Sequence, residues 1–85
     1  GPYFEELEKK RAILNWLFDR FNDGRRKTFF TTSVYLLPLE DLRDIMAELD
    51  TRTELPVKER AQAAVKLLSA AVDRRGISLK LNKKK

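Results

Sequence analysis

The chain contains no cysteine and no histidine. Without cysteine there is neither a disulfide framework nor a thiolate metal site. Without histidine the commonest general base near neutral pH and the commonest metal ligand are both missing. A nucleophile would have to come from Ser33, Ser69 or a threonine, and no base is evident to activate one. Glycine is scarce, at positions 1, 24 and 76 only, so no glycine-rich loop can cradle a phosphate. No apolar run approaches the roughly 20 residues that span a bilayer, and no signal-type segment opens the chain. These absences point away from catalysis and away from any cofactor, metal, membrane or small-molecule substrate. The lack of cysteine is compatible with a reducing, intracellular and cytoplasmic setting.

What is present suits one small globular domain. Of 85 residues, 42% are hydrophobic and 36% charged, too apolar for a disordered chain and too short for two cores. Gly1-Pro2 reads as the remnant of a cleaved tag. The domain is expected over residues 3–81, with a frayed basic end at 82–85.

Positive charge is unevenly placed. Arg74, Arg75, Lys80, Lys83, Lys84 and Lys85 follow one another with no acid among them. The 73 residues before them carry 12 basic and 13 acidic side chains, a net of −1. Within those residues Arg25-Arg26-Lys27 makes a basic run, and the stretch from Pro38 to Glu59 is acidic.

Leu7, Leu14 and Phe21 recur every seven residues, with Phe4, Leu17 and Phe18 beside them, which predicts a helix over 3–22. Ile13 and Trp16 widen its apolar stripe, so it should touch two neighbours. Asn22-Asp23-Gly24 ends it. Leu39, Leu42, Ile45, Met46 and Leu49 form one stripe of a second helix over 38–50, with Pro38 at its first position. Pro56 opens a third helix that runs to Arg74 or Arg75, with Gly76 as its cap. Its main face is Val57, Ala61, Ala64, Val65, Leu68, Ala71 and Val72, and Ala63, Leu67 and Ala70 add a second stripe.

Residues 28–37 carry two competing patterns. Their β-branched and aromatic content favours a strand, while Phe29, Ser33, Leu36 and Leu37 fall at helical spacing. Residues 77–81 alternate strictly and read as a short strand, which needs a partner to satisfy its backbone groups. Residues 28–34 are the candidate within the chain, and this tilts them towards strand. The expected fold is therefore mainly α, with three main helices and a short two-stranded β element in the order α-β-α-α-β. That order is the one found in winged-helix domains, a topological analogy that no sequence motif carries. The alternative is a four-helix, all-α bundle.

Two functions follow. Nucleic-acid binding would use Arg25, Arg26, Lys27, Lys58, Lys66, Arg74, Arg75 and Lys80 to neutralise phosphates. The plainer reading of these runs is a solvated loop and a solubilising end. Against a groove-reading third helix stand Ala63, Leu67 and Ala70, where polar side chains would be needed. The second function is binding of another protein chain, or homodimerisation, through surplus apolar surface on the first and last helices, with Tyr3, Trp16, Tyr35 and Leu67 as interface candidates. The Asp44–Glu48 pair, one helical turn apart, could hold a hard cation, but it sits in no calcium-loop spacing and reads first as a solvated helix face.

Overall fold

The structure is a computed structural model, and it describes residues 1–21 and 32–77. These contain three α-helices, α1 (Pro2–Arg20), α2 (Leu39–Asp50) and α3 (Val57–Arg74), with a 3-10 turn (Thr32–Leu36) between the first two. The protein is mainly α, and none of the described residues is in a strand. None of the described helices is long and apolar enough to cross a membrane.

Each helix begins at a proline or directly after one. Pro2 opens α1, where its missing N–H costs no hydrogen bond. Pro38 and Pro56 stand one residue before α2 and α3, with ψ of 150° and 153°. That extended backbone makes each proline the cap rather than the first helical residue, one position earlier in role than expected. Their carbonyls accept the first helical bonds, from Leu42 at 3.3 Å and Arg60 at 2.9 Å. Glu40 and Asp41 in the first turn of α2 suit the positive end of its dipole.

The end of α3 is a Schellman closure. Gly76 has φ of 69°, a conformation that glycine adopts without the Cβ clash. The N–H of Ile77 reaches the Val72 carbonyl at 3.0 Å and that of Gly76 reaches Asp73 at 3.1 Å. Ile77 then packs against the core. Gly76 acts as the sequence predicts.

The core repeats one spacing. Leu14 and Leu17 of α1 with Phe21 at its C-cap, and Leu42, Ile45 and Leu49 of α2, are buried at i, i+3 and i+7. Ala64, Leu68, Ala71 and Val72 of α3 complete it, joined by Val34 and Leu37. α2 packs between α1 and α3, and the 3-10 turn rests on α3. Ala64 and Ala71 are wholly buried.

Two expectations change. The strand expected within 28–37 is overturned over its described part, because residues 32–36 form the 3-10 turn. Val34 and Leu37, three apart, stack on one side of such a turn and both enter the core, a placement that strand alternation would forbid. The two-stranded element and the winged-helix order therefore do not describe these residues. The four-helix alternative comes nearer, with a single turn where it has a helix. Of the expected strand at 77–81 only Ile77 is described, in the α3 cap; residues 78–81 lie outside the described residues, as do 22–31. The second change concerns α1. Phe4, expected beside the core stripe, is exposed, and the buried residues of α1 begin at Lys10.

Candidate protein-interaction cleft

An open cleft of about 460 Å³ lies between the first three turns of α1 and the 3-10 turn. α1 contributes Tyr3, Glu6, Leu7, Lys10 and Arg11, the i, i+3, i+4, i+7, i+8 face of a helix. The turn contributes Tyr35 and Leu36. A smaller hollow of about 400 Å³ flanks the same part of α1, between Glu5, Glu6 and Lys9 on one side and Pro38, Leu39 and Glu40 on the other.

The turn is held against α1 by a buried ammonium group. Lys10 Nζ donates to the Tyr35 carbonyl oxygen at 2.9 Å and pairs with Glu6 Oε2 at 3.4 Å. Lys10 is only 9% exposed, and a buried charge needs both partners. Val34 in the middle of the turn and Leu37 directly after it are buried in the core, and Leu36 between them is turned outwards, 63% exposed. Tyr3 is 78% and Phe4 59% exposed. Two of the four exposed large apolar side chains among the described residues, Tyr3 and Leu36, thus line one cleft; Phe4 lines neither hollow, and Val57 is on α3.

The interface candidates read from the sequence divide evenly. Tyr3 and Tyr35 line the same cleft although 32 positions apart in the chain. Trp16 and Leu67 are instead half-buried and packed on the core. Trp16 lies 5.5 Å from the Phe21 ring, centroid to centroid, with the Arg20 guanidinium 5.2 Å from its own centroid. Leu7, Arg11 and Leu36 were missed. For the two on α1 the signal is the four-residue spacing of Tyr3, Leu7 and Arg11; nothing in the sequence marks Leu36 as their neighbour.

The four phosphate-contact candidates among the described residues do not share one helix face. Lys58, Lys66 and Arg74 are exposed on α3, but each is eight residues from the next, a rotation of roughly 80° and a rise of about 12 Å. Arg75 is engaged: its Nε and Nη2 donate to the two Asp41 carboxylate oxygens, each at 2.8 Å, and Glu40 lies 3.7 Å away. Arg25, Arg26, Lys27 and Lys80 lie outside the described residues. In the acidic pair Asp44–Glu48, Glu48 is bonded to Arg52 at 2.6 Å. Among the described residues no group of three or more potential metal ligands converges.

The Arg75–Asp41 bond ties the end of α3 to the start of α2. Its hydrogen bonds hold the Asp41 carboxyl below the usual aspartate range, outweighing the opposing effect of burial, and raise the guanidinium in turn. A folded pKa below the unfolded value means the unfolded chain binds more protons, so stability rises with pH through that window. The stabilisation is complete above about pH 4, the ordinary aspartate value, and is lost as pH falls through the folded pKa. Asp41→Asn is expected to flatten the acid limb of stability measured by urea unfolding at stepped pH. An unchanged limb would show that the pair is not coupled to folding.

Comparison with protein-family models, with curated proteins and with solved structures finds no match for this chain.

Proposed function

We propose that this is a small non-enzymatic protein-interaction domain whose cleft receives an apolar segment of another polypeptide. The observation that carries the reading is the convergence of Tyr3, Leu7 and Leu36 on an open cleft whose rim holds Arg11. Arg11 is exposed and forms no ion pair among the described residues. Aromatic and arginine side chains are the usual anchors of such contacts. The test is selection of short random peptides on the wild-type chain, followed by binding to the Tyr3→Ser/Leu36→Asp variant. Peptides that bind the wild type and are lost by the variant are the expected result. Equal binding to both, or no enrichment at all, would defeat the reading.

Nucleic-acid binding is a second reading, supported by charge segregation alone. Residues 1–21 and 32–77 carry 11 basic and 12 acidic side chains, whereas 22–31 and 78–85 together carry seven basic and one acidic. Titration with duplex and single-stranded oligonucleotides at about 50 mM salt, where phosphate contacts are strong, decides it. Absence of binding there eliminates it.

A further inference from the structure

We propose that the cleft takes an apolar peptide segment of another protein that sets an aspartate or glutamate carboxylate against Arg11. The proposal rests on the cleft reading and goes further by naming the chemistry of the partner. It comes from the charges that line the cleft itself, which are Glu6, Lys10 and Arg11. Glu6 and Lys10 lie 3.4 Å apart and neutralise each other. The Lys10 ammonium is further committed to the Tyr35 carbonyl at 2.9 Å and is almost covered. Arg11 is exposed and forms no ion pair among the described residues. It is the uncompensated charge of this lining.

An occupant that lays only apolar atoms over Arg11 strips water from a charge and returns nothing for it. A carboxylate there accepts two parallel N–H···O bonds from the planar guanidinium. The chain's own basic end, with Lys80, Lys83, Lys84 and Lys85, has the wrong sign for this place. A phosphate backbone calls for several cations in a row, and this lining offers one that is uncommitted. The apolar part of the cleft lies to one side of Arg11. Tyr3, Leu7 and Arg11 follow at four-residue intervals, so they stand about 6 Å apart along α1. Leu36 borders the same strip from the 3-10 turn. The carboxylate is therefore expected about 6 Å from the apolar side chain over Leu7 and about 12 Å from the one over Tyr3. An extended segment meets that spacing with an acidic residue about two places from one apolar residue and about four from the next, all on one face.

The test is peptide selection run in parallel on the wild type and on Arg11→Glu, with the enriched peptides then titrated against both. Peptides from the wild type are expected to carry an aspartate or glutamate at that alternating spacing from two apolar residues. They should be lost by Tyr3→Ser/Leu36→Asp and should bind Arg11→Glu at least tenfold more weakly, because attraction at the rim becomes repulsion. Peptides selected on Arg11→Glu should carry lysine or arginine at the same place. That exchange of preference also shows the variant to be folded, and cooperative urea unfolding confirms it independently. Peptides that need Tyr3 and Leu36 but share no acidic residue, or that bind Arg11→Glu equally well, overturn the proposal and leave the cleft reading standing. Self-association of the wild type that Tyr3→Ser/Leu36→Asp abolishes, or oligonucleotide binding that Arg11→Glu abolishes, names a different occupant and overturns it too. Failure to enrich any peptide defeats the cleft reading and this proposal with it.

Discussion

Phe21→Ala is expected to lower unfolding stability by about 3–5 kcal/mol, the range for emptying a fully buried aromatic site. Phe21 has no exposed surface and is among the largest of the fully buried side chains. It stands where α1 ends, with its N–H bonded to the Leu17 carbonyl at 2.7 Å. Its ring packs beside Trp16, itself half-buried on the core. Removing it leaves a cavity beneath Trp16 and loosens the last turn of α1 together. Single domains are stable by roughly 5–15 kcal/mol, and a chain this short belongs near the lower end. The variant should therefore populate its unfolded state in mild urea. Trp16, the only tryptophan, reports the transition by fluorescence. Leu36→Ala, at an exposed position, should stay within about 0.5 kcal/mol of the wild type. Similar losses at both positions would mean that the core does not lie where it is described.

The second large effect is expected at Ala64. Ala64→Leu adds bulk at a position with no exposed surface in the α3 face that meets the core. Leucine adds three carbons where the alanine has no exposed surface, and overpacking of this kind costs about 1–3 kcal/mol. Ala70→Leu makes the same chemical change on an exposed face and should be nearly neutral. The contrast isolates burial from helix propensity, since leucine is nearly as good a helix former as alanine. Thermal unfolding of the two variants side by side measures it. Equal destabilisation would contradict the close packing of α3.

Helical periodicity made most of this fold readable. Leu14, Leu17 and Phe21, and likewise Leu42, Ile45 and Leu49, are buried as their spacing indicates. Gly76 ends α3 because a left-handed cap suits glycine, and that requirement is local. The 3-10 turn was less legible, because its β-branched and aromatic residues favour strand while Val34 and Leu37 need a three-residue repeat to reach the core. Tertiary burial won over propensity there. Half of the cleft was visible as an excess of apolar residues, in Tyr3 and Tyr35. Their meeting depends on the bond from Lys10 to the Tyr35 carbonyl, across 25 positions. No local pattern encodes that bond. Arg75 carries a further long-range feature: its bond to Asp41 spans 34 positions and no local pattern in the sequence marks it.

The most direct test of the central claim is a map of backbone amide shifts as a selected peptide is added. Shifts confined to Tyr3 through Arg11 and to Tyr35 and Leu36 are predicted. Shifts centred instead on the exposed face of α3, around Lys58, Lys66 and Ala70, with the cleft amides unmoved, would contradict the account.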